Sequence, residues 1–124
     1  MRKLRIKRRL VEAALDQVFI EEAPVVIVVC ANEVRSSQGY GVRGETLYCI
    51  QDTAAAIQNI HLTAYSLVLG TCWVGAFREQ EAREILKIPH VIRPVAIIPV
   101  GYPAEVPTAP SRRPISQIVH YETF

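Results

Sequence analysis

The most constraining stretch of this chain is an alanine-rich apolar run from Thr46 to Leu69, which empties into Gly70-Thr71-Cys72-Trp73-Val74-Gly75-Ala76-Phe77. Leu47, Ile50, Ala54, Ile57, Ile60, Ala64, Leu67 and Val68 recur at helical spacing. That periodicity predicts one long helix over 46–69 with Gly70 as its C-cap. Ala54, Ala55 and Ala56 are consecutive, so small side chains also face away from the main stripe. Small side chains let a second helix approach closely, and apolar surface beyond one stripe predicts a buried helix at a subunit contact. Gln51, Asp52, Gln58, Asn59 and His61 interrupt the run, which excludes a bilayer span.

The flanking segments supply strands and shorter helices. Leu4, Leu10, Ala14, Leu15, Val18 and Phe19 predict a helix over 3–18. Val25-Val26-Ile27-Val28-Val29-Cys30 is a continuous β-branched run, expected to be a central strand covered on both faces. The polar, glycine-containing stretch 32–44 reads as a loop. Thr71 to Val74 reads as extended, and 78–86 as a short amphipathic helix with Ala82, Ile85 and Leu86 inward and Arg83 outward. The run 94–101 reads as a second buried strand with prolines near its ends or at a bulge. Pro103, Pro107, Pro110 and Pro114 predict an extended arm over 103–124, in which Ile118 to Tyr121 forms a last short strand.

A chain of 124 residues is expected to form one domain: an N-terminal helix over 1–20, a core over 24–102 and the arm. Hydrophobic residues make up 50% and charged residues 21%, which excludes disorder by composition. A mean hydropathy of +0.17 points to apolar surface hidden by self-association. The N-terminus lacks a secretory signal, so a cytoplasmic location is expected. Six of the first nine residues are basic, and the remainder carries 8 basic and 12 acidic residues. The basic run is read as a solvated helix face, with no nucleic-acid partner expected, because no aromatic residues interleave with it. Cys30, Cys49 and Cys72 form neither a CxxC nor a zinc pattern. Cys30 and Cys49 read as small buried hydrophobes, and no metal site is expected.

Three motifs bear on chemistry. Gly39-Tyr40-Gly41-Val42-Arg43-Gly44 matches GxGxxG, but no strand ends at its first glycine and no second strand follows, so it is not read as a dinucleotide fingerprint. In Trp73-Val74-Gly75-Ala76-Phe77, two small residues lie between large apolar ones just before a helix. Such a turn can offer bare backbone N–H groups to a planar ligand, and a tight strand-to-helix connection fits the spacing equally. Ser111-Arg112-Arg113-Pro114 carries two guanidinium groups suited to phosphate, or forms an exposed basic turn. His61, His90 and His120 are scattered, with no metal-spaced partners.

In this order, several segments together resemble the FMN-dependent nitroreductase family. They are Glu22 to Cys30, Leu47 to Ala56, Leu69 to Phe77, Ile98 to Pro103 and Arg112 to His120. The resemblance implies an α+β, sandwich-like fold with a long central dimerisation helix, in an intertwined homodimer with FMN at its interface. It further implies hydride transfer from NAD(P)H through FMN to a small-molecule electron acceptor such as a nitro compound or quinone. Trp73, Val74, Gly75 and Ala76 would lie at the flavin, with Gly75 and Ala76 offering backbone near its N5 edge. Arg112 would pair with the FMN phosphate and Arg113 would assist. The family's opening Arg-Arg-Ser-x-Arg-like and Asn-x-Gln-Pro-Trp-like segments are not found in the chain, so an N-terminally truncated version of the fold is expected. FMN would then be held weakly unless another chain completes the site. The alternative expectation is a non-enzymatic dimeric fragment.

Overall fold

A computed structural model describes residues 1–124. The element order is α1 (Leu4–Ala13), α2 (Phe19–Glu22), β1 (Val25–Asn32), α3 (Glu33–Arg43), a π-helical turn (Gly44–Tyr48), α4 (Cys49–Ser66), β2 (Gly70–Thr71), α5 (Glu79–Leu86), β3 (Ile92–Gly101) and a 3-10 turn (Ile115–Gln117). The strands form one antiparallel sheet in the order β1-β3-β2. The fold is therefore α+β, as expected.

Side-chain alternation along the strands explains the layering. Val26 and Val28 of β1 and Ile97 of β3 pack against Leu10, Ala14, Ile20 and Ala82 from the helices on one face. Ala96 and Ile98 turn the other way, onto Ile57 of α4. The apolar run of β1 is thus covered on both faces, but the strand is an edge rather than the centre, and Ile27 remains 36% exposed. The central strand is β3, despite its two prolines. Pro94 lies at the bulge opposite Cys30. Pro99 pairs with Val26, whose own N–H and C=O point outward to the backbone of Met1 at 2.9 and 2.6 Å. Its missing N–H therefore faces away from β1, toward the side where β2 ends at Thr71, and the ladder with β1 loses no bond.

Several expectations are corrected. The stretch 32–44 is largely helical: Asn32 Oδ1 accepts the Arg35 N–H at 2.9 Å and caps α3, and Gly41 (φ 59, ψ −148) leaves helical geometry, so two helical segments meet there at a kink. A Cβ on Gly44 would clash with the Ser36 carbonyl, so close packing inside the turn accounts for this glycine. The long helix begins at Cys49 and ends at Ser66. Its left-handed residue is Val68 (φ 60), so the chain reverses two residues before Gly70. The first helix stops at Ala13, because Leu15 and Asp16 adopt φ 55 and 62. Arg83 does not face outward: its Nη1 donates to the carbonyls of Pro89, His90 and Ile92 at 2.8, 2.9 and 2.6 Å. Cys30 is only half-buried, whereas Cys49 is buried. Ile118 to Tyr121 is not a strand; it follows the 3-10 turn, and the arm after Gly101 is exposed throughout.

Lys7 also departs from the solvated-face reading. It is 5% exposed, and its Nζ donates to the carbonyls of Glu21 and Ala23 at 2.6 Å each. These carbonyls lie at the C-terminus of α2, where the helix leaves acceptors unpaired and favours a cation. Replacing Lys7 with Met keeps the aliphatic stem but strands both carbonyls. It should cost about 2 kcal/mol of stability, read as a lower urea midpoint with an unchanged m-value.

Candidate functional site

The turn between β2 and α5 is pinned at both ends. Val74 is 2% exposed and exchanges two backbone hydrogen bonds with Ile97 of the central strand, each 3.0 Å. Phe77 tucks into the core beside α5. The Arg78 N–H donates to the Ala13 carbonyl at 2.8 Å, and Gln17 Nε2 donates to the Ala76 carbonyl at 2.9 Å. Gly75 and Ala76 are exposed between these anchors, and their N–H groups have no partner within the chain. A Cβ on Gly75 would meet only the Trp73 ring, at 3.7 Å, and Gly75 does not have positive φ. The chain's own packing therefore does not require glycine there, and the bare backbone faces open space. A planar ligand with acceptor atoms along its edge fits that surface.

Trp73 is 44% exposed at the mouth of the turn. Its ring centroid lies 6.0 Å from that of His61 on α4, at an interplanar angle of 32°. His61 Nδ1 lies 2.6 Å from Thr71 Oγ1, a hydrogen bond that ties α4 to β2 just before the turn. An open cleft of about 640 Å³ adjoins β2, walled by Phe19, Pro24, Thr71, Cys72, Tyr102 and Pro103. Glu22 and Glu105 also line it, and no basic side chain does.

The structure gathers Trp73, Val74, Gly75 and Ala76 in one turn. Arg112 and Arg113 are both exposed on the arm, without a hydrogen bond or ion pair to any residue. Their guanidinium groups are uncommitted, which suits a phosphate arriving from outside the chain's own fold. Two residues that hold the turn, Gln17 and His61, were not singled out from sequence as site residues. Gln17 acts on a segment 59 residues away and His61 on the strand that follows its own helix, and no local pattern announces either contact.

The helix that follows the turn is locked by ion pairs. Arg93 on β3 grips Glu79 with Nε and Nη2 at 2.9 and 2.8 Å and lies 3.7 Å from Glu33. The hydrogen bond from Arg93 is the chief reason the Glu79 carboxyl is held below the usual carboxylate range, and the charges of Arg93 and Arg83 add to it against partial burial. Burial pushes the Cys30 thiol up, so it stays protonated at neutral pH.

A depressed folded-state pKa stabilises the protein above the unfolded carboxylate value of about 4.3, and the gain is lost as pH falls through the lower folded value. Glu79→Gln should therefore lower stability at neutral pH by about 1 kcal/mol or less, because the pair is partly exposed. The gap from the parent should close in acid, as read by urea unfolding across that window.

The family profile described as Nitroreductase family matches residues 2–102. A nitroreductase-like protein of Methanocaldococcus jannaschii is 46% identical over 89 residues, covering 72% of this chain and 43% of the relative. A protein named FMN reductase (NADPH) from Bacillus subtilis is 28% identical over 131 residues, covering 95% of this chain and 53% of the relative. The solved structure of the NfrA1 nitroreductase from Bacillus subtilis superposes with a TM-score of 0.85 at 27% identity, over 99% of this chain and 55% of that one. The chain spans about half the length of the relatives it matches.

Proposed function

Since the chain belongs to the nitroreductase family, we propose that it supplies the turn and arm of a flavin site in an NAD(P)H-dependent oxidoreductase that uses FMN to reduce nitro compounds, quinones or similar small acceptors. The observation that carries this reading is the turn itself. Gly75 and Ala76 present two unpartnered N–H groups on exposed backbone, fixed by the Val74–Ile97 pair on one side and Gln17 on the other.

Bound FMN would supply the redox chemistry, taking a hydride equivalent from NAD(P)H and passing it to the acceptor. The chain's part is to bind and orient. The N–H groups of Gly75 and Ala76 donate to acceptor atoms along the ring edge. Val74 keeps the turn in register with β3, and Trp73 borders the ring from the mouth of the turn. Arg112 and Arg113 meet the phosphate, whose charge near −2 favours guanidinium donors.

Because these arginines are exposed and make no hydrogen bond or ion pair within one chain, the site is proposed to form between two copies, with the arm of one reaching the other. The apolar residues that α4 leaves exposed, among them Leu62 and Tyr65, are the proposed dimer face. No helix of the structure is long and apolar enough to cross a membrane. The dependence on NAD(P)H makes the cytoplasm the proposed location. The match to only about half of each relative's length also motivates a second reading, a dimeric fragment that holds no flavin.

Titrating the purified full chain with FMN separates the two. The expected result is a yellow protein with a band near about 450 nm that bleaches when NAD(P)H is added without oxygen. A dimer that stays colourless at saturating FMN overturns the flavin reading and supports the second. Arg112→Ala should weaken FMN binding about tenfold, as loss of a charge-assisted phosphate contact predicts, and Arg113→Ala by less. Both effects should shrink at high salt.

A further inference from the structure

We propose that Gln17, at the foot of α1, is the positioning residue that holds the Trp73–Phe77 turn in its ligand-receiving conformation; this rests on the flavin-site reading above. All peptide bonds in the chain are trans. In a trans amide the C=O and N–H point in opposite directions. The Val74 carbonyl is committed to Ile97, so the Gly75 N–H, on the same amide, points away from the sheet. The Ala76 carbonyl is committed to Gln17, so the Phe77 N–H points away from α1. The first of these amides is set by backbone pairing. The last is set by one side chain, the only side chain that hydrogen-bonds to the turn's backbone. The Gly75–Ala76 amide between them inherits its orientation from both.

Gln17 is itself held by its surroundings. The same Nε2 also donates to the Ala14 carbonyl at 2.8 Å, so the amide bridges the open end of α1 and the turn. The two residues before it, Leu15 and Asp16, adopt φ 55 and 62, a left-handed conformation that is unfavourable for residues with a Cβ. Leu15 is 53% exposed, so burial of its side chain does not offset that cost. What the reversal achieves is placement: it turns the chain so that Gln17 lies beneath the turn while Ala13 offers its carbonyl to Arg78. Backbone strain retained at such a point marks a constraint set by the neighbouring structure.

Trp73 is the chain's single tryptophan, so its fluorescence reports on the turn with or without flavin. The test compares the full chain with Gln17→Met, which keeps the volume but has no donor, and Gln17→Glu, which at neutral pH sets a carboxylate against the Ala76 carbonyl. Both variants should show greater acrylamide quenching of Trp73, and FMN affinity should fall about tenfold, as expected for one oriented hydrogen bond. The affinity loss should exceed the fold-change in the unfolding constant. Acidification should restore parental quenching in Gln17→Glu, whose protonated carboxyl can donate again, and leave Gln17→Met unchanged. If Gln17→Met retains parental quenching and parental FMN affinity, the proposal is overturned. If the parent itself takes up no FMN, the flavin reading fails, while the quenching comparison still decides whether Gln17 holds the turn.

Discussion

The reciprocal hydrogen bonds between Val74 and Ile97 are what the rest of the site depends on. They extend the sheet by one bridge beyond β2, at the point where the chain must leave it for α5. Both residues are almost wholly buried, so the two bonds lie away from competing water and are costly to break. Once Val74 is fixed, the residues just after it have little freedom. The turn is short, its far end is tied back to α1, and the two small residues between the anchors are left exposed.

A few long-range anchors also run through the supports of the turn. Arg83 collects three carbonyls from the connection after α5, and Arg93 reaches from β3 to Glu79 and Glu33. A guanidinium suits this role because its donors form a rigid planar fork. Lys7 does comparable work at the end of α2 with a single ammonium. Arg83 and Lys7 lie among backbone carbonyls and Arg93 among carboxylates, so part of the chain's positive charge is structural. Arg112 and Arg113, on an arm with no contacts of that kind, remain available to a phosphate.

Much of this was legible from the residues. The β-branched run of β1 and the Ile97–Ile98 pair announced strands, and Ala82, Ile85 and Leu86 announced the inward face of α5. The order of the motifs pointed to the fold. The stretch 32–44 misled because its glycines and polar residues carry the composition of a loop, while the helix there depends on a cap by Asn32 and on glycines tolerated at a kink. The end of α4 misled for a related reason. A β-branched residue, Val68, took the left-handed position that composition assigns to Gly70.

By itself, the sequence determined most of the elements and the family they belong to: apolar periodicity is local, and so is the pairing of small residues at Gly75 and Ala76 between Trp73 and Phe77. Tertiary structure alone decided that β3 and not β1 is central, that Lys7 is buried, and that Gln17 and His61 brace the turn from the connection after α1 and from α4. It also decided that the two arginines of the arm make no hydrogen bond or ion pair within the chain. The physical reason is range. Propensity and periodicity act over a few residues, whereas strand order, burial of a charge and the orientation of an amide are set by partners many residues away, which meet only when the layers close.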